Sequence, residues 1–600
     1  MLSILVSLFS SSAASLMLFG AGVSVGFLVY LARHRALRNS HLARRVMVIV
    51  IGDVARSPRM MNHASEFAKR GVEVLLVGHY EQGDDVKRRQ TLPREIADSS
   101  RIHLVPLPQF ICPFPWLPYP FYLLWRILYD LFHFAKMAWI SMANLSKPPI
   151  DSILIQNPPM VPQILLLKAC QMLAAAIGSR PKIVVDFHNF GYTILGMKLR
   201  KCSPIVKALE FAETNLARIC VDSGFSVTKA MRDTLHDIRG KWRLGVDIRV
   251  LYDSAKPPAD PLVDVSGLWD RLYASGHLDE LKEWNDEPRL NGAANGQAAL
   301  FCAFQNPSLR RDENHTTAHD SKEGEPYTKQ RRMAASKNAA GLSEDCRDSG
   351  SRWVSCSSSS SDFAKSTQVS EQNGDVVKII SSTSWTPDED FSDLFHSLTT
   401  IAVGMQQGKR LVLFITGKGA LRQHWQKYWD DELKNTPIEG LMTEVVDKDN
   451  SAKPIKRKLL LKDRIRVVFL FLPWADYPRI LQACDFGVCM HQSSSGLDLP
   501  MKVVDMFGMA ELPVIARNFP ALPELVENEK NGYVFSSKEE LANRVVEVVN
   551  HYADEQHAAY GKMRLHIHDH FVQGEVKWEH AWERELWQMF ENSSPKCKSK

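Results

Sequence analysis

Ser493-Ser-Ser-Gly-Leu-Asp-Leu-Pro-Met-Lys-Val-Val-Asp-Met-Phe-Gly508 is the stretch from which the architecture of this 600-residue chain is read. The apolar run Phe486–Met490 just before it predicts a short buried strand. Met501–Met509 has helical character, and Leu512-Pro-Val-Ile-Ala516 predicts the next strand. Ser493, Ser494, Ser495 and Gly496 therefore sit between a strand and a helix. There backbone N–H groups and a helix N-terminus hold an anion such as a diphosphate. Asp498 and Asp505 bracket Lys502: carboxylates grip hydroxyls, and an ammonium neutralises phosphate. A capped helix start with a solvated face satisfies the same spacing equally well.

Working outward, the same strand–loop–helix grammar recurs. Val376–Ile380 leads into Ser381-Ser-Thr-Ser384, Leu411–Thr416 into Gly417-Lys-Gly419, and Arg464–Phe471 into Leu472-Pro-Trp474. In the first half, Val46–Ile51 is a near-continuous β-rich run, as in a strand buried on both faces of a parallel sheet. It runs into Gly52-Asp-Val-Ala-Arg-Ser-Pro-Arg59, then a helix from Met60 to Arg70, then the strand Val72–Val77. Ile153–Ile155 and Ile183–Asp186 add strands, the latter leading into Phe187-His-Asn-Phe-Gly-Tyr192. The expected fold class is α/β, with two doubly wound Rossmann-like domains facing a cleft. The expected domains are residues 46–256 and 376–560, with a packed helical segment at Trp578–Phe590 inside a final stretch, 561–600.

Composition adds bounds. Apolar content of 45% and charged content of 24% are those of an ordinary globular protein, and a net charge of +5 does not suggest a nucleic-acid binder. Ten cysteines without a CxxC pair imply neither a disulfide framework nor a zinc site. No GxGxxG, nucleophile-elbow or Walker spacing occurs, and Asp447-Lys-Asp449 lies in a polar surface stretch that does not suggest a metal site. Residues 2–32 carry no charged side chain and are long enough to cross a bilayer, and Arg33, Arg35, Arg38, Arg44 and Arg45 follow. By the positive-inside rule, residues 1–32 are expected to anchor the chain once, with the body in the cytosol. The proline- and aromatic-rich residues 105–145 are expected either to dip into lipid or to form a core helix with a proline-rich entry. Residues 257–375, with a serine tract at Ser357–Ser361, read as a long and largely disordered linker.

Candidate chemistry falls at strand ends. His188 is placed for proton transfer, although a packed or exposed histidine fits there too. Arg56 and Arg59 are placed to meet phosphate, and Gly52 permits close approach. Glu210 and Glu213, one helical turn apart, read as a solvated face.

Six stretches, taken together, resemble a known family. They are Gly52–Met60, Asp186–Tyr192, Val227–Arg232, Ser381–Thr386, Ile415–Gly419 and Ser493–Gly508. The chain resembles the GT-B glycosyltransferases and, within them, the β-mannosyltransferases that act on chitobiosyl diphosphodolichol. Two departures stand out: the insertion between the halves is longer than that pattern, and Asp498 and Asp505 stand near where retaining relatives carry two glutamates.

The resemblance implies an inverting transferase moving mannose from GDP-mannose to dolichol-diphosphate-linked chitobiose at the endoplasmic reticulum membrane, with no obligatory metal. Other glycosyltransferases of the pathway would be its partners. It implies diphosphate contacts from Ser381, Ser382, Ser494, Ser495 and Lys502, helped by Gly417, Gly419 and Gly496. Hydroxyl contacts would come from Asp498 and Asp505, and the base region would meet Lys418 and Trp474. Gly52, Arg56 and Arg59 would face the acceptor, with His188 as catalytic base and Asp53 or Asp186 as alternatives. Two other readings remain open: a transferase of this architecture using a UDP-sugar, and a non-catalytic membrane scaffold of a glycosylation complex.

Overall fold

The computed structural model describes residues 44–108, 119–142, 150–176, 180–199, 202–254, 268–269, 271–272, 376–386, 389–445, 455–551, 557–574 and 577–591. The expected anchor, Asp447–Asp449 and most of the 257–375 linker lie outside these residues. Among the described residues no helix is long and apolar enough to cross a membrane.

The first domain is built on seven parallel strands in the order β3-β2-β1-β4-β5-β6-β7. These are β1 (Arg45–Asp53), β2 (Glu73–His79), β3 (Ile102–Pro106), β4 (Ile150–Asn157), β5 (Lys182–Phe187), β6 (Ser223–Ser226) and β7 (Ile248–Val250). Met47, Val48 and Ile49 are fully buried because helices cover both faces of the sheet, which is why β1 reads as an unbroken apolar run. Helix α1 (Pro58–Lys69) packs on one face. Helices α2 (Tyr119–Met142), α3 (Gln163–Ala176) and α5 (Pro204–Cys220) pack on the other, with the short α4 (Gly191–Leu199) against α5. Residues 119–142 thus form a helix, with Phe134 and Ala138 in the core; its proline-rich entry lies outside the described residues.

The second domain holds six parallel strands in the order β12-β9-β8-β13-β14-β15. They are β8 (Val376–Ser382), β9 (Arg410–Thr416), β12 (Ile465–Leu470), β13 (Phe486–Cys489), β14 (Val514–Arg517) and β15 (Gly532–Phe535). An antiparallel hairpin, β10 (Pro437–Val445) and β11 (Ile455–Leu460), stands apart from the sheet. Helix α6 (Lys229–His236) belongs to the first domain, and α7 (Ser392–Gly404) and α8 (Met501–Ala510) to the second.

Both sheets reverse strand order once, between β1 and β4 in the first and between β8 and β13 in the second. Ligands of open α/β sheets bind beyond the carboxyl ends of strands at such a reversal. The loops at Gly52–Arg59, Ser381–Ser384 and Ser493–Gly496 therefore flank the two places where topology opens a crevice.

Among the described residues the chain passes between domains twice. Leu268, Trp269 and Leu272, assigned from sequence to the linker, are instead buried in the second domain's core, Trp269 lying 6.0 Å from Phe414. At the end of the chain, Tyr560, Met563 and Ile567 pack on the second domain. Trp578, Ala581, Trp582, Leu586, Met589 and Phe590 then cross back into the core beneath α1. A segment apolar around most of its circumference must bury several faces, and here Trp582 and Phe590 pack on Phe67 of α1.

Candidate functional site

At the carboxyl end of β5, Asp186 is completely buried and ionised. Arg59 grips it bidentately, Nε to Oδ2 at 2.7 Å and Nη2 to Oδ1 at 3.0 Å. His63 Nε2 and His188 Nε2 lie 3.1 Å and 2.9 Å from the same Oδ2. Burial by itself would raise the carboxyl's pKa, but Arg59 and His188 together hold it well below the ordinary value. An ionised carboxylate only accepts hydrogen bonds, so both imidazoles present Nε2–H to it and keep Nδ1 for other partners.

Arg59 is consumed in this cluster. Its Nη1 also donates to Asp253 at 2.9 Å, and its guanidinium lies over Trp578. Burial opposes its charge, yet Asp186 and Asp253 outweigh burial and raise its pKa. The sequence places Arg59 against ligand phosphate; the structure gives it two buried carboxylates instead, because an arginine this enclosed needs them. Asp186 is likewise committed to three donors and is not available as a base. His188, one-fifth exposed, is the most exposed member of the cluster.

The loop after β5 is fixed by a residue that sequence spacing assigned to solvent. Glu213 is buried, accepting from the Gly191 and Tyr192 amides at 3.0 and 3.1 Å and from Asn157 Nδ2 at 2.8 Å. It caps the start of α4 where the helix dipole is positive. Only the packing of α5 against α4 brings it there, and nothing local in sequence signals it.

Across the crevice, the Ser493–Gly496 loop meets this one directly. Asn189 Nδ2 donates to Ser494 Oγ at 3.3 Å, and Thr193 Oγ1 lies 3.0 Å from the same oxygen. Thr228 donates to the Leu497 carbonyl at 2.6 Å. Glu524 of the second domain accepts from the Lys229 and Ala230 amides at the start of α6 and from the Tyr252 hydroxyl. Within the loop, Ser493 and Ser495 donate to Asp498, so Asp498 organises the turn. Gly496 adopts a φ of +76°, which a side chain rarely tolerates.

The remaining second-domain candidates converge on β8. Ser381 is buried with its hydroxyl unsatisfied, and Ser382 accepts from the Tyr477 hydroxyl at 3.0 Å. Gly417 has φ +147°, and a Cβ there would sit 1.7 Å from the Thr383 carbonyl; at Gly419 it would sit 2.1 Å from that of Ser384. Both glycines are thus demanded by loop-on-loop packing. Lys418 is exposed beside Phe471, and Trp474 is 70% exposed and stacked on Tyr477.

Lys502 pairs with Glu389 at 2.8 Å, and Glu389 also accepts from Thr383 Oγ1 and the Ser384 amide. Asp505 keeps some contact with solvent, but the protein around it removes enough water to push its pKa up to about 7. Asp253 adds to the rise, while Lys502 and Tyr477 oppose it.

On the rim of the first domain, Asp53 caps the turn at Val54–Arg56 through the Ala55 amide and pairs with the exposed Arg56 at 3.3 Å. Space beside Gly52 is open, with no atom within 4 Å of where a Cβ would stand. Arg56, Asp53 and Gly52 form an edge separate from the buried Asp186 cluster.

Known proteins bear on this arrangement in two ways. The family model described as glycosyl transferases group 1 matches residues 445–551, the segment that carries the Ser493–Gly508 stretch. A protein of Arabidopsis thaliana named UDP-glycosyltransferase TURAN is 30% identical over 84% of this chain and 88% of its own. A Mus musculus protein named chitobiosyldiphosphodolichol beta-mannosyltransferase is 29% identical over 91% of this chain and 89% of its own. One of the same name from Kluyveromyces lactis is 27% identical over 90% of this chain and 89% of its own. With two parallel α/β domains facing one another through their strand-end loops, the chain belongs to the GT-B glycosyltransferases, in the family of these chitobiosyldiphosphodolichol β-mannosyltransferases.

Proposed function

We propose that this chain transfers mannose from GDP-mannose to the distal sugar of chitobiosyl diphosphodolichol, forming a β1,4 link with inversion. The observation that supports the reading is the contact of Asn189 and Thr193, on the loop and helix that follow His188, with Ser494 of the proposed diphosphate loop. In this reading His188 Nδ1 takes the proton from the acceptor hydroxyl as its oxygen attacks the sugar C1. The C1–O bond to the diphosphate breaks, and GDP leaves with the electron pair. Ser381, Ser382, Ser494, Ser495 and Lys502 would stabilise the departing diphosphate. Asp186 would hold His188 in the productive tautomer and favour its imidazolium, with Arg59 supporting Asp186. Asp498 and Asp505 would meet sugar hydroxyls, Lys418 and Trp474 the base, and Gly52, Asp53 and Arg56 the acceptor.

Removal of a positioned base costs about 10²–10⁴ in rate. His188→Ala should therefore lose kcat by that order while binding GDP-mannose as before; unaltered turnover would remove His188 from the chemistry.

The Arabidopsis relative named as a UDP-glycosyltransferase favours a second reading, with a UDP-sugar as donor. Purified protein offered labelled GDP-mannose and UDP-sugars with GlcNAc₂-diphospholipid separates the two. Product from a UDP-sugar alone would end the mannose reading. The membrane would be that of the endoplasmic reticulum, reached through an anchor in residues 1–32 with the body in the cytosol. Glycans found at Asn144 or Asn314, both in acceptor sequons, would reverse that orientation.

A further inference from the structure

Helices α2, α3 and α5 lie side by side on one face of the first sheet, and each carries an apolar stripe on its outer side. On α2 the stripe runs through Leu128 and Phe132, on α3 through Leu165 and Met172, and on α5 through Phe211 and Ile219. Phe132, Met172, Phe211 and Ile219 are 66%, 67%, 72% and 66% exposed. These helices already bury their inner faces: Phe134, Leu167 and Ala217 sit in the core beneath. A soluble helix normally turns charged and polar residues outward, and contiguous apolar faces across three helices mark an interaction surface.

The exposed charges on this layer have one sign. Among the described residues of α2–α5, the exposed ionisable side chains are Lys136, Lys198, Lys207 and Arg218. The acids are withdrawn: Glu213 is buried, Glu210 pairs with Lys241, and Asp130 is half-buried. Helix α4 ties the layer to the site. It starts at Gly191, three residues after His188, and ends at the exposed Met197 and Leu199, about 12 Å away at 1.5 Å per residue.

We infer that the outer face of α2, α3 and α5 sits in the headgroup and acyl boundary of a phospholipid bilayer, with α4 running from that boundary to the acceptor side of the crevice. The inference rests on the proposed lipid-linked acceptor, because such a substrate presents its sugars from a bilayer surface. Apolar residues supply the buried area, and the lysines and arginine meet anionic headgroups. This contact is separate from any anchor in residues 1–32. It orients the crevice toward lipid, whereas a tether through a single segment leaves the body free to rotate.

The test places a benzophenone amino acid at Phe132, Met172 or Phe211 in the full-length chain. The protein is reconstituted in vesicles of phosphatidylcholine and phosphatidylserine bearing an alkyne tag, and Ile238, 81% exposed in the α6–β7 connection, is the control position. Irradiation should attach tagged lipid at the three helix positions at least tenfold more than at 238. Equal labelling at all four positions, or adducts confined to the protein itself or to a second copy, would overturn the inference. Mannosyl transfer is measured on the same samples. Active protein without lipid adducts rejects the docking face alone, whereas lipid adducts on protein that transfers no sugar reject the acceptor reading.

A second measurement uses Met172→Glu with Phe211→Glu in the full chain. Both side chains are exposed, so the fold should persist, which circular dichroism checks. KM for an acceptor held in vesicles should rise about tenfold, with kcat and KM for a water-soluble short-chain acceptor unchanged. A parallel change on both acceptors would also overturn the inference.

Discussion

Trp582, in the segment that closes the chain, donates its indole N–H to Nδ1 of His63 at 3.0 Å, across 519 residues of sequence. That bond leaves His63 only its Nε2–H to offer, and Nε2 points at Asp186 3.1 Å away. Burial, the largest influence on His63, lowers its pKa and keeps the ring neutral against the opposing pull of Asp186. The end of the chain thus sets a tautomer beside the candidate base.

Trp582→Phe tests this link. It keeps an aromatic ring, though a smaller one, beside Phe67 and removes the donor, and leaving a buried acceptor unsatisfied costs about 1–3 kcal/mol. We expect a lower melting temperature and, in addition, a shift in the pH dependence of kcat/KM. A change in melting temperature with an unaltered pH profile would make Trp582 purely structural.

Asp505 predicts an unusual pH dependence of stability. Its folded pKa, about 7, lies above the ordinary aspartate value, so between roughly pH 4 and 7 the native state binds more protons than the unfolded chain. Stability from this group is therefore fully present below pH 4 and falls as pH rises through 7. Asp505→Asn should be more stable than the parent above pH 7 by roughly 2–4 kcal/mol, with the gap closing toward pH 4. Denaturant melts at pH 4.5, 6 and 8 check it, and a gap independent of pH would remove Asp505 as the cause. If Asp505 meets a sugar hydroxyl, the same variant should bind the sugar nucleotide more weakly, a familiar exchange of stability for function.

Glycine substitutions separate folding from ligand approach. Gly417→Ala drives a Cβ into the Thr383 carbonyl at a φ that disfavours side chains, and it should destabilise the second domain by about 2 kcal/mol or more. Gly52→Ala meets nothing within 4 Å and should leave the melting temperature within about 0.5 kcal/mol of the parent. A loss of transfer in Gly52→Ala at unchanged stability would then report contact with the acceptor. Unchanged activity would take Gly52 out of the site.

Lys502 is held by Glu389 while its proposed role is to meet diphosphate. Lys502→Ala should raise KM for GDP-mannose about tenfold or more, since a charge-assisted contact is worth about 1.5–3 kcal/mol. Glu389→Gln removes the competing carboxylate but keeps an acceptor for Thr383 and Ser384, so KM should fall or hold. A KM that rises in Glu389→Gln would show that the pair itself presents Lys502 to the ligand.

Sequence by itself determined the α/β class, the core strands of both sheets and the loops beyond them. It could do so because a strand covered on both faces must be apolar throughout, and a loop approached by another backbone must use glycine or serine. Gly417 and Ser493–Gly496 stood out as small residues just past strand ends, whereas the backbone that crowds Gly417 was shown only by the fold. Only the tertiary structure decided which charges meet. Arg59 and Asp186 stand 127 residues apart, and Glu213 reaches the Gly191 amide from another helix. Trp582 arrives from the far end of the chain. Such pairs carry no local signature, because a buried charge is set by whatever the fold brings within about 3 Å, and spacing along the chain says nothing of that distance.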